Sequence, residues 1–164
     1  MFLTGKKEVF SGRLLRLVKL ENKYECVEHP GAVAILPVLS GDKVVLIRQI
    51  RPAVGREIWE IPAGLLEPGE EPLETGRREL LEETGYTCSD LREIHKFFTS
   101  PGFSDEQITL FVASGLKKER APVEDSITVE ILERDEVKRK LEKGFFTDAK
   151  TILALQYLLF RKDK

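Results

Sequence analysis

Gly64 to Tyr86, GLLEPGEEPLETGRRELLEETGY, constrains this chain more than any other stretch. It reads as a glycine-started loop, then Pro72 at a first helical position, then about three helical turns closed by Gly85. At about 100° per residue, Leu73, Leu80, Leu81 and Thr84 group as the stripe that packs on the body of the domain. Glu79, Glu82 and Glu83 fall on the opposite side. Carboxylates spaced i, i+3 and i+4 repel one another, at roughly a few tenths of a kcal/mol per pair. Arg78, four residues before Glu82 and four after Glu74, relieves part of this. A hard divalent cation relieves it better, because Mg²⁺ takes oxygen ligands and favours carboxylates beside substrate phosphates.

A chain of 164 residues is expected to form one domain, residues 1–164. Its 26 basic and 28 acidic residues nearly cancel, to a net charge of −2. That balance argues against non-specific nucleic-acid binding and against a polybasic membrane anchor. Met1 is not followed by a charged-then-apolar signal segment, and no apolar run approaches the roughly 18 residues a membrane span needs. The expectation is a cytoplasmic protein with neither nucleic acid nor membrane as partner. Cys26 and Cys88 are too few for a disulfide framework and read as reduced packing residues, and His29 and His95 as packing or surface residues.

Along the chain, Lys6 to Phe10 and Arg13 to Leu20 read as strands around a Ser11-Gly12 turn, and Lys23 to Glu28 alternates as a half-exposed strand. Ala32 to Leu39 is an apolar run broken by Pro37, hence a strand with a bulge or an edge there. Ser40-Gly41-Asp42 turns the chain into Lys43 to Ile50, and Glu57 to Ile61 is a short strand leading to Pro62-Ala63-Gly64. Leu91 to Phe98, Ile108 to Ala113 and Ile127 to Leu132 read as further strands. Asp135 to Lys143 is a polar surface helix, and Asp148 to Phe160 a helix with Ile152, Leu155 and Leu159 on its core face. Together these give an α/β fold, a mixed sheet sandwiched between helices.

The central stretch fits Gly-x5-Glu-x7-Arg-Glu-aliphatic-x-Glu-Glu-x-Gly-apolar, with Gly64, Glu70, Arg78, Glu79, Leu80, Glu82, Glu83, Gly85 and Tyr86 in place. Chance gives that pattern in roughly one chain in 10⁴ to 10⁶. It resembles the box of the Nudix hydrolases, complete. The resemblance implies an α/β/α sandwich with an antiparallel N-terminal strand extension, residues 1–30, that pairs with a second subunit as a homodimer. Residues 31–164 would be the catalytic core. It also implies a Mg²⁺ site, with Mn²⁺ as substitute, at Ala63, Glu79 and Glu83, and an ion pair between Arg78 and Glu70 with Glu70 near the substrate. The chemistry agrees, since phosphoanhydride cleavage needs divalent cations on the phosphate oxygens and a positioned, deprotonated water. Glu79 and Glu83 are then metal ligands, Glu82 a further ligand or a base, and the Ala63 carbonyl a main-chain ligand.

Outside the box, Arg48 to Gly55, Trp59 to Gly64 and Ser100 to Glu106 are similar to the ADP-ribose pyrophosphatase branch of that family. A small nucleotide is the implied substrate, with ADP-ribose hydrolysed to AMP and ribose 5-phosphate. Other nucleoside diphosphate sugars or dinucleotides are alternatives, and a non-catalytic nucleotide-binding module a remote one. Arg51, just before the site, can fork onto a diphosphate oxygen. The resemblance places Lys23 and Glu25 at the base or ribose, and Arg13 and Leu14 at the neighbouring subunit's adenine. It places Ser100 and Gly102 at the terminal ribose, and Glu106 as an anchor of its loop or of a ribose hydroxyl. Branch members carry the catalytic base on an acidic loop. Here that loop is Ala121 to Ile127, where Glu124, Asp125 and, from the helix, Glu82 are the alternatives.

Overall fold

The computed structural model of the chain describes residues 5–123 and 125–161. In chain order the strands are β1 (Lys6–Ser11), β2 (Arg16–Leu20), β3 (Tyr24–Glu28), β4 (Ala32–Pro37), β5 (Val44–Arg51), β6 (Arg56–Glu60) and β7 (Ala63–Leu65). Helix α1 (Pro72–Thr84) follows, then β8 (Tyr86–Phe98), β9 (Gln107–Lys118), β10 (Thr128–Leu132), α2 (Arg134–Glu142) and α3 (Ala149–Phe160).

Strand β4 is buried at every residue and organises the rest. It runs parallel to β9, from Ala32 opposite Ile108 to Pro37 opposite Ala113, in a sheet ordered β7-β4-β9-β8. Alternate residues of a strand face opposite sides. Ala32, Ala34 and Leu36 therefore join Leu110, Val112 and α3's Ala154, Leu155 and Leu158 in one core. Val33 and Ile35 face the other way, onto Leu80 of α1, Leu91 and Phe111. That is the expected α/β/α sandwich. Fully buried Ile35, Leu36, Leu110 and Leu155 each contribute about 1.5–3 kcal/mol of burial. A second, antiparallel sheet, β10-β5-β6, adds Val44 and Leu46 to the α3-side core.

Pro37 breaks no ladder bond. Ile35 N–H donates to the Pro62 carbonyl and Val38 N–H to Ala113. Pro37 therefore aims its missing donor to the side where β7, paired only with Ala32 to Ala34, does not reach. The third sheet, β1-β2-β3, is joined to the loop before β9 by Val27 N–H to Phe103 O (2.7 Å) and Asp105 N–H to Val27 O (3.2 Å).

Three expectations need correction. Strands β8 and β9 extend well past their apolar runs, because Tyr86 pairs with Lys118 and Thr87 with Lys117 in a hairpin that polar residues decorate. On α3 the fully buried positions are Thr151, Ala154, Leu155 and Leu158, with Ile152 and Leu159 only half-buried. On α1 the buried residues are Thr75, Gly76, Leu80 and Thr84, while Leu73 is 44% exposed. The helix lies on its small residues. A Cβ at Gly76 would already stand 3.1 Å from Leu91 and 3.6 Å from Phe111. Glu79 and Glu83 consequently flank the buried face instead of opposing it. No helix among the described residues is long and apolar enough to cross a membrane.

Candidate active site

At Gly64 the helix meets the loop. A Cβ there would sit 1.9 Å from Glu79 Cδ and 2.0 Å from its Oε1. Only a glycine lets that carboxylate lie against the β7 backbone. One residue earlier, Ala63 N–H donates to Glu83 Oε2 at 2.9 Å. The sheet fixes this loop: Ala63 pairs with Ala34, and Ile61 N–H donates to Thr151 Oγ1 on α3 (2.9 Å). Helix α1 then carries its glutamates to a backbone already held in place.

Arg78 gathers the remaining charges. Its Nε and Nη2 fork onto both oxygens of Glu70 at 3.0 and 2.9 Å. Its Nη1 reaches Glu79 at 2.5 Å and Glu82 at 3.3 Å, and Nη2 also meets the Leu65 carbonyl. This ties the Glu70 loop to the helix through charge-assisted bonds. Those bonds hold Glu70 down at about 2 and raise Arg78 above its ordinary value.

Burial pushes Glu83 up to about 8; the Ala63 N–H and Arg51 offset this only in part, and Glu79 and Glu60 add repulsion. Burial likewise lifts Glu79 above the ordinary carboxylate value, against the pull of Arg78. Two carboxylates are thus held where a proton or a cation is favoured. As the side chains stand, no three His, Cys, Asp or Glu groups among the described residues form a ready cation cage. Glu79 and Glu82 are turned to Arg78, and Glu83 to Ala63. The donor set still fits a hard divalent ion: oxygen only, on one helical turn, beside a backbone that a glycine leaves open. Ala63, expected to offer its carbonyl, meets Glu83 through its N–H.

A cleft of about 740 Å³ opens beside Glu79 and Arg78. Arg13 and Leu14 line it within their own chain, with His29, Leu66 and Asp105. Gly102 lines a separate hollow of about 210 Å³ with Val18 and Phe103, and the Ser100 carbonyl accepts the Phe103 and Ser104 N–H groups. Glu106 accepts from Thr99 Oγ1 at 2.6 Å and lies 3.6 Å from His29 Nε2, so it anchors its loop. Lys23 sits over the Tyr24 ring and Glu25 lies 3.5 Å from Lys19, both exposed and neither lining that cleft. Glu124 lies outside the described residues. Its neighbour Asp125 is exposed, and Val123 N–H donates to the Glu82 carbonyl at 2.8 Å. The acidic loop is therefore moored to the last turn of α1.

Arg51 closes its fork on Glu60, with Nε to Oε1 at 2.9 Å and Nη2 to Oε2 at 2.6 Å. Lys150 Nζ reaches the same Oε2 at 3.1 Å. Burial raises Glu60, but these cations outweigh it and hold the carboxyl below its ordinary value. Sequence reasoning gave Glu60 and Lys150 no role. Glu60 did carry a signal, an acid between Trp59 and Ile61 in a strand entering the core. Lys150 carried none, because its partner lies 90 residues away.

The family model described as NUDIX domain matches residues 28–155. The chain is 42% identical over 164 residues to a methanol dehydrogenase activator of Bacillus methanolicus, across 93% of this chain and 89% of that protein. It is 42% identical over 170 residues to an ADP-ribose pyrophosphatase of Bacillus subtilis, across 96% and 92%. A GDP-mannose pyrophosphatase of Cronobacter sakazakii is 37% identical over 143 residues, across 80% and 74%.

Proposed function

The chain belongs to the Nudix hydrolase family, and on that premise we propose that it cleaves the diphosphate of ADP-ribose, with Mg²⁺, to AMP and ribose 5-phosphate. The observation that carries this reading is the contact of Glu79 with Gly64, beside a cleft large enough for a nucleotide. Glu79 and Glu83, with Glu82 in reach, would hold the cation. Bound there, Mg²⁺ supplies charge neutralisation at the diphosphate and a lowered pKa for water. Arg78 keeps the loop and helix together so that the carboxylates do not drift apart as charge changes. Arg51 faces the diphosphate. The proton of the attacking water would go to a carboxylate, Glu124, Asp125 or Glu82.

Incubation with ADP-ribose and Mg²⁺ should release AMP, read by chromatography. Failure to release AMP, in a panel that also includes GDP-mannose and dinucleotides with Mg²⁺ and with Mn²⁺, would sink the assignment. GDP-mannose turned over faster than ADP-ribose would instead move the specificity to sugar nucleotides, the reading that the GDP-mannose pyrophosphatase relative favours.

We further place a second copy of the chain against residues 1–30, with residues 31–164 as the catalytic core. Strand β1 is exposed along its whole length, and its Val9 and Phe10 are 54% and 57% exposed. These exposed apolar side chains, with Leu14 at 49%, support an interface there. The protein should sediment at twice the chain mass; a monomer at micromolar concentration would contradict this. Cys26 and Cys88 are free thiols, in keeping with the cytoplasm.

A further inference from the structure

We propose that Glu60 and Lys150 are positioning residues for Arg51. The Glu60 carboxylate, gripped from behind by Lys150, holds the Arg51 guanidinium in the orientation in which it meets the substrate's diphosphate. This rests on the assignment of Arg51 to that diphosphate.

The exposures give the network a direction. The Glu60 side chain is 2% exposed and that of Lys150 11%, whereas Arg51 is 39% exposed. Arg51 is the end that reaches solvent, and the other two stand behind it. Both Glu60 oxygens are engaged, one by Arg51 Nε and the other by Arg51 Nη2, Lys150 Nζ and, more weakly, Gln49 Nε2 at 3.4 Å. A two-point fork fixes the plane of the guanidinium and leaves its Nη1 edge for a second partner. Lys150 shares the Glu60 charge, so Glu60 quenches less of the positive field that Arg51 presents.

Lys150 is itself located by the helix that bears it. Its Nζ lies 3.1 Å from Asp148 Oδ1, while Asp148 Oδ2 caps α3 by accepting the Thr151 N–H and hydroxyl. The same Thr151 holds Ile61 N–H, two residues before Ala63. The start of α3, the end of β6 and the loop that meets Glu79 and Glu83 are thereby one connected unit. Arg51 is tied to that unit through Glu60, three residues before the Ala63 N–H that meets Glu83.

The test is a double-mutant cycle on ADP-ribose hydrolysis, with KM and kcat measured for Lys150→Met, Lys150→Arg, Arg51→Gln and the Lys150→Met/Arg51→Gln pair. Thermal melts verify that each variant is folded. Lys150→Met should raise KM by about tenfold with a smaller change in kcat, and Lys150→Arg should restore most of it. In the Arg51→Gln background the same Lys150→Met change should move KM by less than about twofold, because its intermediary is gone. An undiminished effect in that background, or an unchanged KM in Lys150→Met while Arg51→Gln raises it, overturns the positioning role alone. An unchanged KM in Arg51→Gln removes the diphosphate assignment of Arg51, and the positioning role with it.

Discussion

Glu83→Gln is expected to fold as the parent does and to lose turnover by about 10²- to 10³-fold, the scale of removing a group that stabilises charge in the transition state. The amide is nearly isosteric and its oxygen can keep the 2.9 Å bond from Ala63 N–H. What it loses is the negative charge that a divalent cation needs from a ligand. The stability of the cation-free protein supplies a second readout. Folding lifts Glu83 from 4.5 to about 8, so between those values the native state keeps a proton that the unfolded state has released. Native stability from this group is full below pH 4.5 and falls as pH rises toward 8. Glutamine has no such proton. Thermal melts in chelator from pH 5 to 8, a window chosen about those two values, should show wild type losing stability relative to Glu83→Gln. Normal turnover by the variant would mean that the cation binds elsewhere.

Gly64→Ala is expected to separate folding from activity even more sharply. The added methyl would land 1.9 Å from Glu79 Cδ, a distance no non-bonded carbons tolerate. Glu79 is the far end of a flexible side chain, so it can swing away at a stability cost of about 1 kcal/mol. Gly64 itself needs no left-handed backbone, which removes the other usual penalty. The displaced carboxylate can no longer share a cation with Glu83. A shift of about 1 Å in a positioning group costs on the order of 10²-fold in rate. A melting temperature within a few degrees of wild type, about what 1 kcal/mol shifts, with kcat down by at least about 10²-fold, is the expected pair of results. Retained activity would show that the Gly64–Glu79 contact plays no part in catalysis.

The spacing of the glutamate helix was legible because its signals are local. Pro72 opened it, Gly85 closed it, and the box fell on consecutive turns. Its orientation was not legible. Leu80 and Thr84 of the expected stripe are buried, but Thr75 and Gly76 join them in place of Leu73, which turns the buried face toward Glu79 and Glu83. The same cause explains α3, where Thr151 and Ala154 take the buried face. The extensions of β8 and β9 pair only with each other, and Tyr86, Cys88 and Leu116 are too few among polar neighbours to mark them as strands. Around the site, the local pair Glu70–Arg78 could be anticipated. The full grouping of Arg51, Glu60 and Lys150 could not, since it needs the packing of α3 against the end of β6 as well as the β5–β6 hairpin.

The central claim is that one turn of α1 and the Gly64 loop together hold the cation that carries the substrate's diphosphate. A crystal soaked with Mg²⁺ and a non-cleavable ADP-ribose analogue tests it most directly. The account predicts density for an ion about 2.1 Å from carboxylate oxygens of Glu79 and Glu83, with the diphosphate beside it in the adjoining cleft. An empty carboxylate turn, with the analogue lodged at another surface, would contradict it.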